Sequence, residues 1–168
     1  MAAMSESYPL DNLLSVRLFR EETVKRGVSI AQASLREARE NHEAQKAELE
    51  AWRKWRDEEV ERRYEALIGT KLPIEKLTAF NQGIARLGDD ELVRAAAVDK
   101  SAETVRACEK KVEDAKALVH TARQNTAKIE AHKALWSEDL KKEEERAEER
   151  EFEDFKPVSR LGAEGDES

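Results

Sequence analysis

Of the chain's 168 residues, 97 are Ala, Glu, Lys, Leu or Arg, the composition of long helix or coiled coil. Val, Ile, Leu and Phe together number only 34, close to the level at which a chain cannot bury enough apolar surface to fold. With 40% charged and 5% aromatic residues, a core of ordinary thickness is excluded. A thin helical seam is the geometry that needs fewest apolar groups per residue.

Net charge and pI, −7 and about 5.2, argue against a nucleic-acid-binding face, which carries a basic excess. No apolar run approaches the roughly 20 residues that span a bilayer, and residues 1–7 lack the basic and apolar regions of a signal peptide. The expected setting is a reducing cytosol. Cys108, the single cysteine, cannot form an internal disulfide and reads as a small core residue in an Ala/Val helix.

Proline divides the chain because it removes a helical donor and clashes with the preceding turn. Pro9, Pro73 and Pro157 leave two proline-free stretches, 10–72 and 74–156, long enough for helices of roughly 90 and 120 Å. Between them, Ile68-Gly69-Thr70-Lys71-Leu72-Pro73 supplies a helix-ending glycine and then a proline suited to a helix start. So short a loop joins antiparallel neighbours. The expected fold is therefore all-α: a long antiparallel two-helix coiled-coil hairpin with disordered termini. Its parts are a flexible stretch 1–7, a helix 8–68, a tip 69–73, a helix 74–155 with a kink or break at 83–90 as an open alternative, and a disordered acidic tail 156–168.

The second helix carries the cleaner repeat. Val98, Val105, Val112 and Val119 recur every seven residues, interleaved with Cys108, Ala115, Ala122, Ile129 and Trp136, which is a heptad seam. Facing it, the first helix offers Leu14, Val24, Val28, Ala31, Leu35, Ala38 and Leu49, interrupted by Arg17, His42 and Gln45. Antiparallel pairing about residue 70 sets Leu10 beside His132 or Lys133. Gly27, Gly83 and Gly88 each cost about 1 kcal/mol relative to Ala inside a helix. Asp89 and Asp90 would cap a new helix if the second one breaks at Gly88.

No chemistry of catalysis is legible. His42, His120 and His132 have no partner histidine three or four residues away, so metal-ligand spacing is missing. No glycine-rich phosphate loop and no nucleophile, base and acid grouping occurs, and carboxylates alternating with Lys and Arg read as solvated helix faces. The expectation is a non-enzyme without cofactor or metal.

Two places suggest binding instead. Near the turn, Trp52-Arg53-Lys54-Trp55-Arg56, followed by Arg62, Arg63 and Tyr64, concentrates residue types that anchor interfaces. At 100° per residue from Leu49, Trp52 lies about 60° to one side, Tyr64 about 60° to the other, and Trp55 about 120° away. One seam cannot cover both Trp55 and Tyr64, so Trp55 is the candidate for exposure, unless a bent 73–88 segment folds over it. At the other extremity, residues 137–155 have no partner helix. This acidic stretch ends in Phe152 and Phe155, which suit docking in a groove or ring, with a frayed tail as the plainer reading.

The start Tyr8-Pro9-Leu10-Asp11-Asn12-Leu13-Leu14-Ser15-Val16-Arg17 runs straight into a long charged helix. Aromatics follow at the tip, and a Glu/Lys/Arg-rich C-terminal helix contains Trp136. This order resembles the YscO family of type III secretion proteins, whose flagellar homologue is FliJ. The resemblance implies a small cytoplasmic stalk, peripheral to the inner-membrane export apparatus and monomeric on its own, that links and stimulates the hexameric secretion ATPase. Further partners it implies are the cytoplasmic domain of the export gate, export chaperones and the needle-length regulator, with no nucleic acid and no membrane insertion. By position it assigns Leu10, Leu14, Arg17, Trp136, Leu140, Phe152 and Phe155 to the ATPase end. Trp52, Trp55, Tyr64, Phe80 and Ile84 fall at the gate end, with Gly83 standing where a bulky contact residue is expected. Open alternatives are a coiled-coil adaptor or homodimer unrelated to secretion, and a nucleic-acid-binding arm using Trp52, Arg53 and Trp55.

Overall fold

The computed structural model of the chain describes residues 7–155; the expected disordered tail 156–168 and residues 1–6 of the N-terminal stretch lie outside them. Two helices make up nearly all of this: α1, Asp11–Glu65 (55 residues), and α2, Ile74–Asp154 (81 residues). No strand occurs among the described residues. Contacts group the chain into two compact units, one of Met1–Arg20 with Ala122–Ser168 and the other Glu21–Thr121.

Local chemistry sets the helix limits. Pro9 sits in a turn closed by the Asp11 amide donating to the Tyr8 carbonyl at 3.1 Å, where a proline's fixed φ is favourable. The Leu10 carbonyl then accepts the first helical bond, from the Leu14 amide at 2.9 Å. α1 ends at Glu65, three residues before the expected end. There its bonds shorten to the i−3 type, Leu67 to Tyr64 and Ile68 to Glu65, which tightens the last turn. Gly69 follows at φ +82°, a conformation that only glycine adopts without strain. The Thr70 amide and hydroxyl both donate to the Leu67 carbonyl, supplying a partner to a helix-end acceptor. Pro73 offers its carbonyl to the Lys76 and Leu77 amides and starts α2. Helix continues without interruption through Gly83, Gly88, Asp89 and Asp90, so the alternative of a separate 73–87 helix is not what forms.

In the unit Glu21–Thr121 the two helices run antiparallel. Arg39 meets Glu109, His42 meets Ser101, Arg53 meets Glu91 and Tyr64 meets Phe80, so numbers fall along α2 as they rise along α1. Ala38, Leu49, Leu87, Cys108 and Val112 are buried, with Ser101 among them. On α2 the protected positions 87, 91, 94, 98, 101, 105, 108, 112, 115 and 119 alternate steps of four and three, the spacing that keeps one stripe facing a partner helix. Polar residues inside this stripe find one another. Ser101 donates its hydroxyl proton to the Val98 carbonyl at 2.7 Å, and its oxygen lies 2.8 Å from His42 Nδ1. With that proton committed, His42 Nδ1–H is the donor across the seam.

The unit containing residues 7–20 and 122–155 pairs the chain's start with α2 at the level expected for Leu10. Tyr8 is buried, its hydroxyl 2.7 Å from His132 Nδ1 and 3.4 Å from the Ile129 carbonyl, and Asp11 binds Lys133 at 2.7 Å. Leu14 and Thr126 are buried beside them in sequence position on their respective helices.

A seam one layer thick encloses nothing completely: no side chain among the described residues falls below 2% exposure. Leu87, at 6%, should nonetheless carry measurable stability. Leu87→Ala is expected to cost about 2 kcal/mol, the low end for buried leucines because a single-layer seam opens to water. Leu118→Ala, at 59% exposure, should cost less than about 0.5 kcal/mol. Urea unfolding of both variants checks this; equal costs would contradict the seam.

Candidate interaction sites

Side chains near the turn form two ring pairs. Trp52 and Trp55 pack with centroids 6.1 Å apart and planes tilted by 48°. Trp52 is half-buried, with the Arg56 and Arg94 guanidinium carbons 5.9 and 5.5 Å from its ring centre, a range that favours cation–π attraction. Glu91 of α2 gathers Arg53, through Nε at 2.8 Å, and Arg56. These charges fix the Trp52 side of the seam, while Trp55 remains 45% exposed.

The second pair is Tyr64 with Phe80, edge to face at 5.1 Å. Tyr64 is 51% exposed and Phe80 half-buried. Ile84 is half-buried one turn further along α2. A Cβ at Gly83 would lie 3.2 Å from Arg63 Nη1, so the glycine leaves room for the arginine that also binds Glu59. Sequence reasoning missed Ile68 and Ile74, both about four-fifths exposed on either side of Gly69. The signal was available: two isoleucines flanking a turn that needs no apolar side chain to form.

Glu59 accepts hydrogen bonds from Arg63 Nε at 2.8 Å and from Arg62. The Arg63 bond chiefly, with the charges of both arginines, holds its carboxyl below the ordinary glutamate value, against the opposing effect of desolvation. A carboxylate whose pKa is lower in the folded state adds stability that is present above the unfolded pKa and lost as pH falls through the folded one. A side-chain NMR titration should therefore place the Glu59 midpoint below that of a free glutamate and move it upward in Arg63→Gln. An unchanged midpoint would contradict the assignment.

In the unit with both chain extremities, the seven side chains singled out from sequence separate into packed and exposed sets. Leu14 is buried, and Trp136 is half-buried with its ring 5.4 Å from that of Tyr8; both belong to the unit's own packing. Leu10, Arg17 and Leu140 are half-buried. Phe152 and Phe155 are 79% and 87% exposed. Residues 137–154 carry ten carboxylates against four basic side chains, and Lys142 lies 2.8 Å from Glu138. That contact raises the lysine's pKa and lowers the glutamate's. The Tyr8, His132 and Trp136 cluster was not legible from sequence, because Tyr8 precedes α1 and belongs to no heptad.

Clefts along the unit Glu21–Thr121 are open grooves lined largely by long charged chains such as Arg36, Arg39, Glu109 and Lys116. The described residues contain no group of three His, Cys, Asp or Glu side chains that could hold a metal ion. No described helix is long and apolar enough to cross a membrane.

Two long paired helices with no strand among the described residues define an all-α protein. The family described as type III secretion protein YscO matches residues 10–158, and the chain belongs to that family of type III secretion proteins. No curated protein matches the sequence at a significant level. Two solved structures share the fold. The crystal structure of type III secretion protein YscO from Vibrio parahaemolyticus is 18% identical with a TM-score of 0.80, covering 88% of this chain and 92% of that one. A protein described as a YscO homologue, CT670 from Chlamydia trachomatis, is 22% identical with a TM-score of 0.73, covering 88% and 90%.

Proposed function

We propose that this chain is a cytoplasmic stalk component of a bacterial type III secretion export apparatus, linking the hexameric secretion ATPase to the cytoplasmic domain of the export gate. Membership of the YscO family carries the secretion role. The division of labour rests on where binding-type side chains lie: Trp55 and Tyr64 near the turn, Phe152 and Phe155 on the opposite stretch of α2. Trp52, Phe80 and Ile84 complete the gate-facing set, and Leu10, Arg17 and Leu140 the ATPase-facing one. Leu14 and Trp136 act there by holding α1 and α2 together. Export chaperones and the needle-length regulator are further partners on this reading, with the chain monomeric when alone.

The proposed mechanism makes and breaks no bond. Asymmetric contacts inside a six-fold ring favour one subunit's conformation over its neighbours', and so bias nucleotide turnover around the ring. Helix α1 runs unbroken from Asp11 to Glu65, which lets it serve both sets of residues.

The purified chain should raise ATP turnover by the secretion ATPase of the same system; unchanged turnover at concentrations where the two bind would contradict the reading. Trp55→Ala should weaken capture of the gate domain by about tenfold, an ordinary hot-spot loss, without lowering helicity. Undiminished capture would remove Trp55 from the contact.

A further inference from the structure

The start of α1 is held to α2 by a residue that precedes the helix and belongs to no heptad. Tyr8 is 5% exposed, and its hydroxyl spans His132 Nδ1 at 2.7 Å and the Ile129 carbonyl at 3.4 Å. Its ring packs on those of His132 and Trp136, with centroids 5.7 and 5.4 Å away. Lys133 Nζ lies 5.6 Å from the centre of the same ring and 2.7 Å from Asp11 Oδ1, so one ammonium joins a cation–π contact to an ion pair. The turn at Pro9, closed by the Asp11 amide on the Tyr8 carbonyl, sets the spacing of the two residues that grip α2. Their four partners, at 129, 132, 133 and 136, are spaced i, i+3, i+4 and i+7 and therefore share one face of α2.

The seam beneath this clasp is weak. Within the unit, α1 contributes only residues 11–20. Across 10–20, Leu10 and Leu14 are the apolar side chains withdrawn from solvent, the next seam position is Arg17, and Thr126 is buried on α2. A helix start with so little apolar contact has open backbone donors in its first turn and frays unless something beyond the helix secures it. Tyr8 secures it from outside, with the contact area of an aromatic ring and a proline whose fixed φ reduces the entropy lost on closing the turn.

We infer that Tyr8 is a positioning residue for ATPase binding. It clasps the first turns of α1 to the stretch of α2 that continues to Leu140, so that the ATPase-facing residues of both helices are presented as one surface. At 5% exposure Tyr8 has almost no area to offer a partner, so its effect is exerted through the residues that it holds. The inference rests on the ATPase-binding reading above and deepens it, by naming what keeps that surface assembled.

Two measurements on the full chain test this: amide hydrogen exchange, and calorimetric titration into the purified hexameric secretion ATPase of its own system. Tyr8→Ala should speed exchange at least tenfold in the first turns of α1 while leaving residues 21–121 as protected as before, and should weaken ATPase binding at least fivefold. Tyr8→Phe, which keeps the ring contacts and loses the hydroxyl, should stay within about threefold. Rescue separates positioning from direct contact. In a Cys108→Ser background, Asp11→Cys and Lys133→Cys joined by a short bismaleimide close the clasp covalently, and Tyr8→Ala in that cross-linked chain should bind within about twofold of its Tyr8 counterpart. Persistent weakness after cross-linking would make Tyr8 a direct contact and overturn the inference. Wild-type affinity in uncross-linked Tyr8→Ala, or loss of protection spreading through residues 21–121, would also overturn it and leave the ATPase reading intact. Failure of the wild-type chain to bind the ATPase would overturn both.

Discussion

The structure depends on one constraint: too few apolar side chains must hold together two very long helices. A seam repeating every seven residues meets it, because a stripe of one or two apolar positions per turn is enough to join two helices, even with Ile68, Ile74 and Leu118 left exposed. The consequence is a core without fully enclosed side chains, in which Ala38, Cys108 and Val112 are among the buried seam residues. Small seam residues contribute little burial each, so the outer faces are free to carry charge and the larger aromatics are free to bind.

Polar residues inside the seam are the second consequence. A heptad position occupied by His42, Ser101, Arg56, Glu91 or Arg94 adds no hydrophobic burial, and each would be costly if left without a partner. The structure pairs them across the interface, and such pairs fix which residue of α1 faces which residue of α2, since a shift by one heptad would strand both members. We read His42 with Ser101, and Arg53 and Arg56 with Glu91, as settling register where the apolar groups alone are too uniform to do so.

Much of this was legible in the sequence, for reasons that are local. Val98, Val105, Val112 and Val119 announce their face by spacing, and Gly69 and Pro73 announce the reversal by backbone chemistry. Trp55 is exposed as its angle to Leu49 suggests, but angle alone does not decide exposure: Tyr64, only about 60° from Leu49, is the more exposed of the two at 51% against 45%. What could not be read depends on contacts distant in sequence. Tyr8 reaches His132 and Trp136 only because Pro9 turns the chain back onto α2. Gly83 resembles a helix defect until Arg63 is seen beside it. Early closure of α1 at Glu65 reflects a tightening of hydrogen bonds over 64–68 that no residue type there demands. Among the candidate contact residues, packing claims Leu14 and Trp136, a distinction that periodicity alone does not draw because seam and binding residues are of the same types.

The account's central claim is that α1 pairs with α2 of the same chain, antiparallel and in the register set by these polar pairs. Replacing Arg39 and Glu109, which form an ion pair at 2.8 Å, by cysteines in a Cys108→Ser background and adding a short bismaleimide measures it directly. The account predicts rapid cross-linking within single molecules at a rate independent of protein concentration, and little reaction when the second cysteine replaces Glu113 or Lys116 instead at increasing distance along α2. Cross-links that form only between molecules, or equally well at all three positions, would contradict it.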